Sequence, residues 1–222
     1  MISRNPVSGA VALFLLMVIS ACSGGKPKPV TDIDGNSYAA VSIGNRIWTA
    51  ENLNVTRYRN GDPIPEVRDP EEWSKLKTGA WCRYENSEDN GKTYGRLYNW
   101  YAVNDPRGLA PEGWRVATDE DWAALSEALG GDNVAGGRIK AARLWQQSDS
   151  EAGKSGFELL PAGARRDTDG AFVLQGEYSR LWSSTETDSI RAWGRAAGHF
   201  DSALRRGQAH KRLRFAVRCV KE

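Results

Sequence analysis

The chain has 222 residues, 40% of them hydrophobic and 26% charged, with 30 basic side chains against 28 acidic ones. That balance gives no bulk attraction to a polyanion, and the apolar fraction is too high for a disordered chain. Nine Trp, seven Tyr and 23 Gly beside only two Met describe a loop-rich fold held by aromatic anchors, each able to remove about 150–250 Å² from water.

Arg4, the apolar run Ala10 to Ala21 and the order Ile19-Ser20-Ala21-Cys22 have the layout of a bacterial lipoprotein signal. As a helix, the run from Ala10 to Ala21 would reach only about 18 Å, short of a hydrocarbon core of roughly 30 Å. Residues 1–21 are therefore expected to be removed, leaving Cys22 as an acylated N-terminus tethered to a membrane. The alternative is an ordinary secretory leader with a chance cysteine. Ser23 to Pro29 carries no apolar side chain, so residues 22–29 read as a flexible tether and residues 30–222 as one domain. Ser23 gives no signal for inner-membrane retention, which makes the outer membrane the expected location.

Asp32-Ile33-Asp34-Gly35-Asn36 is turn chemistry leading into Tyr38, Val41 and Ile43; Gly44-Asn45 then precedes Ile47 and Trp48, so short strands are predicted there. Leu97, Tyr98, Tyr101 and Ala102 recur at three- and four-residue spacing and predict a first helix from Tyr94 to Val103. A second helix follows. Thr118 caps it, Asp119, Glu120 and Asp121 occupy its first turn, Trp122, Leu125 and Leu129 line one face, and Gly130-Gly131 ends it. Gly136-Gly137 closes the polar stretch beyond as turn residues. Short strands are predicted at Phe157 to Pro161, Phe172 to Leu174, Leu181 to Thr185, Ala192 to Ala196 and Leu213 to Val220. Two helices among many strands make an α+β domain.

Export would place Cys82 and Cys219 where disulfides persist, and a Cys82–Cys219 pair is the natural reading, with two separate buried thiols as the alternative. Such a bridge would contribute at most about 5 kcal/mol by chain entropy. His199 and His210 are the only histidines, which leaves little for a zinc site, and neither a nucleophile elbow nor a phosphate loop occurs. Asp32-Ile33-Asp34-Gly35 and Asp167-Thr168-Asp169-Gly170 begin as calcium loops do, making Asp167 and Asp169 candidate calcium ligands, but neither motif reaches a distal Glu, and a hairpin turn explains each. No other cofactor is expected. Arg205, Arg206, His210, Lys211, Arg212, Arg214 and Arg218 concentrate positive charge near the C-terminus, suited to acidic glycans or phosphates outside the cell, or simply to a strand facing water. Export argues against nucleic acid. Trp48, Trp100, Trp114, Trp122 and Trp182 read as core, as does Trp193, with sugar stacking beside Arg191 and Arg195 as its alternative.

The segments IGNRIWTAENLNV (Ile43 to Val55), YRNGDPIP (Tyr58 to Pro65), TYGRLYNWYAVND (Thr93 to Asp105), APEGWRVATDEDW (Ala110 to Trp122), LPAGARRD (Leu160 to Asp167), LWSSTE (Leu181 to Glu186) and FAVRCV (Phe215 to Val220) resemble the Fibrobacter succinogenes major paralogous domain family. The resemblance runs from about Val30 to the C-terminus and implies an exported protein, often a lipoprotein, without an established activity. Ala117, Ala164 and Leu181 depart from the family pattern, where Pro and two aromatics are usual. More distantly, GWRVATDEDW and WSSTE are similar to signatures of C-type lectin-like domains, including formylglycine-generating-enzyme-like proteins, which implies that architecture. The sugar-binding tripeptides of calcium-dependent lectins and the paired thiols of those enzymes are missing.

The expected function is a non-catalytic surface module binding a glycan or protein ligand through Glu186, Trp193, Arg195, Arg212 and Arg214. The alternatives are a cell-envelope hydrolase or modifying enzyme using Glu186 and Asp169 as an acid/base pair, and a purely structural envelope role.

Overall fold

The computed structural model describes residues 25–147 and 149–222; the expected leader and the acylated Cys22 lie outside the described residues. The architecture is mixed α+β and mostly β, and among the described residues no helix is long and apolar enough to cross a membrane.

The chain opens with β1 (Val30–Thr31) and β2 (Ser37–Tyr38), paired across the turn the sequence predicts. Asp32 Oδ1 accepts from the backbone N–H of Asp34 at 2.9 Å and of Asn36 at 3.0 Å, and Gly35 takes φ 86°. A hairpin of β3 (Ala40–Ile43) and β4 (Arg46–Thr49) follows, turning at Gly44. The short helix α1 (Pro70–Ser74), capped by Asp69, sinks Trp73 into the core.

The single helix predicted from Tyr94 to Val103 is instead three elements. β5 (Trp81–Cys82) precedes a 3-10 turn at Tyr84–Asn86, α2 (Glu88–Tyr94), β6 (Leu97–Tyr98) and α3 (Trp100–Val103). Gly95 stops the first helix in the left-handed region at φ 76°, and a Cβ there would stand 2.9 Å from the Leu53 carbonyl oxygen. Leu97 and Tyr98 then pair with β5, and Asn99 caps α3. Sheet pairing and a backbone contact override the helical spacing.

After β7 (Trp114–Val116), α4 (Asp119–Ala128) matches the second predicted helix, with Thr118 and Asp121 forming a reciprocal capping box. Beyond Gly130 and Gly131 the chain makes α5 (Asp132–Ile139) where turns were expected. Gly136 lies so close to the Ala203 carbonyl that a Cβ would meet its oxygen at 2.2 Å, so the glycines serve close packing rather than turning.

The remaining strands are β8 (Ala162–Arg165), β9 (Phe172–Gln175), β10 (Tyr178–Glu186), β11 (Arg191–Gly198), β12 (Leu204–His210) and β13 (Cys219–Lys221). One sheet has the order β12-β11-β10-β8-β9, antiparallel except for β10 with β8; another has the order β3-β4-β13-β7 and joins both ends of the fold. Phe157 to Pro161 forms only an isolated Lys140–Leu159 bridge, and of Leu213 to Val220 only the last residues enter a strand. The rest of that segment threads between sheets, bridging Arg165, Tyr98 and Leu181.

Indoles knit the core as the composition implies. Trp48, Trp122 and Phe157 pack at centroid distances of 4.8–5.9 Å, while Trp182 stacks on Phe215 at 4.4 Å and donates to the Tyr98 carbonyl. Trp193 is the exception among the predicted core indoles. It is half-buried, with the Arg206 guanidinium 3.2 Å from its ring centroid.

The expected Cys82–Cys219 disulfide is not formed: both thiols are free and buried. Pairing with β6 packs Cys82 among Trp73, Tyr84 and Leu97, whereas β13 carries Cys219 into the separate cluster of Tyr38, Tyr98 and Val217. Burial pushes both thiols up, Cys219 to about 12.

Candidate functional site

Residues directly opposite one another on neighbouring strands project to the same face of a sheet. Arg180 on β10 stands opposite Ala196 on β11, which stands opposite Arg205 on β12; Trp182, Gly194 and Gly207 form the next such row. Leu181, Arg195 and Arg206 project the other way, toward α4 and α5. The first face is floored by small residues because Phe215 packs beneath Gly194, its ring 3.6 Å from where a Cβ would be.

Two adjoining cavities open on that face and share Arg180 and Phe215. One, of about 320 Å³, is walled mainly by Ala164, Val173, Leu174 and Leu213; the other, of about 260 Å³, by Tyr178, Gly194, Ala196 and Gly207. Together they make a trough with no Asp or Glu among the described residues of its lining. The Arg180 guanidinium lies 5.8 Å from the Phe215 ring centroid and 6.0 Å from that of Tyr178, and among the described residues it makes no ion pair or hydrogen bond. Its neighbours are engaged: Arg205 with Asp201, Arg166 with Asp169, and Arg165 with the carbonyls of Gly170, Val67 and Arg68. Arg195 and Arg206, which also line it, are held by Asp119, so among the described residues Arg180 is the trough cation without a partner.

Leu174 forms part of the wall with φ 66°, a left-handed conformation that leucine rarely adopts. Its carbonyl accepts from Glu177 N–H in the turn that leads to β10.

The residues predicted from sequence are dispersed. Glu186, at the end of β10, accepts from Lys211 Nζ at 2.7 Å, and that ammonium sits 4.4 Å from the Trp100 ring centroid. Arg195 is buried on the opposite face, 3.0 Å from Asp119 Oδ1, with desolvation pulling its pKa down; Arg206 holds the other oxygen of Asp119 at 2.8 Å and covers Trp193. Arg212 donates to the Ser74 carbonyl. Arg214 is fully buried over Trp73, 3.3 Å from its ring centroid, and donates to the Arg166 carbonyl; burial pushes it down. Thus Trp193, Arg195, Arg212 and Arg214 are tied up in packing and do not converge on a shared site.

Asp167 and Asp169 lie in the turn between β8 and β9. Asp169 accepts from Arg166 and from the Ala171 backbone, and the Arg166 contact holds its carboxyl below the usual range; Asp167 faces His210 at 3.4 Å. Among the described residues no group of three or more His, Cys, Asp or Glu side chains could hold a metal ion. Glu186 and Asp169 are both exposed, each is bound to its own cation, and neither lines the trough.

A polar cleft of about 350 Å³ lies elsewhere, beside α2, but its amides are largely consumed: Asn52 donates to the Tyr94 carbonyl and accepts from Arg218, and Asn54 accepts from Arg96. Sequence reasoning missed Arg180, Tyr178, Leu174 and Phe215 as a group. The alternation Tyr178, Arg180, Trp182 was the available signal, since it places an arginine on the face of two aromatics.

No curated protein and no solved structure matches the chain. The strands that build the trough, β8 to β12, and the sheet strands β4, β7 and β13 all fall within residues 41–221, and that stretch matches the family described as the Fibrobacter succinogenes major domain, to which the chain therefore belongs.

Proposed function

We propose that the protein is a non-catalytic binding module, held at the bacterial envelope by an acylated Cys22, whose trough takes an acidic segment of another protein. The single observation that carries this reading is that, among the described residues, the lining holds no carboxylate and Arg180 has no partner. Recognition of sugar hydroxyls needs acceptors as well as donors, and only Tyr178 and Gln208 among the lining side chains can accept. An acidic peptide needs donors instead, which favours a protein ligand over a glycan. The scaffold is read as C-type lectin-like on the GWRVATDEDW and WSSTE segments and on the sheet shared by the two ends of the fold.

Calorimetry on the full-length protein in detergent, with an acidic peptide, a polyuronate and a neutral glucan, tests the proposal. The acidic peptide is expected to bind in a salt-sensitive manner, and Arg180→Ala to weaken it about tenfold or more, the range for one charge-assisted contact. Binding unaffected by Arg180→Ala would sink the reading, and binding of the polyuronate alone would replace it with a glycan ligand. Chelator is expected to change nothing; loss of binding would bring the calcium ligands Asp167 and Asp169 back.

A further inference from the structure

We infer that the apolar end of the trough captures the free C-terminus of the protein ligand, its last carboxylate against Arg180 and its last side chain between Leu174, Val173 and Leu213. The inference rests on the acidic-segment reading and specifies which part of the segment is held. One cavity of about 320 Å³ combines four aliphatic walls with the Phe215 floor, Arg165 and Arg166 that are engaged elsewhere, the guanidinium of Arg180 and, among the described residues, no acid. It asks for an anion and an apolar group that fit one small cavity together.

An internal acidic residue meets that demand less compactly. In an extended peptide, successive side chains point to opposite faces, so the nearest apolar side chain that can enter with an internal acid is two residues, about 7 Å, along the chain. A terminal residue alone carries a carboxylate and an apolar side chain on one Cα. A peptide N-terminus is excluded because its ammonium would find no carboxylate in the lining.

Leu174 is the second observation. At φ 66° a Gly or Asn would hold the same turn without strain. The turn therefore does not explain the leucine, whereas an apolar wall does.

The test uses the full-length protein and three synthetic peptides read by fluorescence anisotropy: Gly-Asp-Gly-Asp-Gly-Leu as the free acid, the same peptide as its C-terminal amide, whose only acids are the two internal Asp residues, and the free acid ending in Ser instead of Leu. The free acid ending in Leu is expected to bind about tenfold tighter than its amide and than the Ser-terminated acid, as expected for one charge-assisted hydrogen bond or one buried side chain. Arg180→Ala should erase the difference between acid and amide. Leu174→Asn, whose folding is checked by its urea midpoint, should erase the preference for Leu over Ser while keeping that for acid over amide. Equal binding of acid and amide overturns the terminus but leaves the acidic segment standing. A preference for Leu unchanged in a folded Leu174→Asn variant overturns the apolar pocket, and no binding by any peptide removes both readings.

Discussion

Asp121 offers a direct measure of what the α4 cap contributes, through pH. Its side chain is buried, and its carboxylate accepts from Arg46 Nε at 3.0 Å, from both terminal nitrogens of Arg115, and from the backbone and hydroxyl of Thr118 at 2.8 and 3.0 Å. Burial pushes the carboxyl up, but the hydrogen bonds from Arg115 and Thr118 outweigh it and bring it to about 2, against an ordinary 3.8. At about 1.4 kcal/mol per pH unit, that difference corresponds to about 2 kcal/mol of folding stability. Because the folded value is depressed, the stabilisation is present above 3.8 and is lost as pH falls through about 2. Asp121→Asn keeps the shape and removes the titration, so the variant should be less stable by about 2 kcal/mol near neutrality. The gap between the two proteins should then close on acidification across that window. Urea unfolding followed by tryptophan fluorescence at a series of pH values measures this gap, and the other depressed carboxyls, such as Asp34 and Asp149, titrate in both proteins and cancel. A gap that stays constant from pH 6 to pH 2 would mean that the ionised Asp121 carboxylate does not stabilise the fold.

Arg218 is fully buried and donates to Asn52 Oδ1 and to the carbonyls of Thr49, Phe157 and Glu158, at 2.7–3.2 Å. Arg218→Met should cost roughly 3–5 kcal/mol, because several buried acceptors lose a charged donor at once; a urea midpoint equal to wild type would show that water replaces the guanidinium. Cys82 and Cys219 should both resist a thiol reagent in the native protein and both react in urea, with reductant leaving the unfolding midpoint unchanged. A midpoint that falls under reductant would mean that the two are bridged after all.

Local sequence chemistry was enough wherever a residue acts on its immediate neighbours. The Asp32 turn, the Thr118 cap and the strands at Phe172, Leu181 and Ala192 stand where the sequence predicts them, because Asx turns, capping and side-chain alternation operate within a few residues. Family membership was legible for a similar reason: it rests on the order of short segments. What local chemistry cannot encode is which distant element comes alongside. Gly95 meets the backbone at Leu53, Gly136 meets the Ala203 carbonyl, and these contacts decide that a predicted helix is divided and an unexpected one forms. The site followed the same rule. Arg195, Arg206 and Arg214 carry as much charge as Arg180, yet strand register and burial turn them toward Asp119 and Trp73 and leave Arg180 free over Phe215. Short-range chemistry sets the local elements and the supply of arginines and indoles; packing between distant segments selects which of them face a partner, because a side chain's availability depends on what the rest of the chain brings against it.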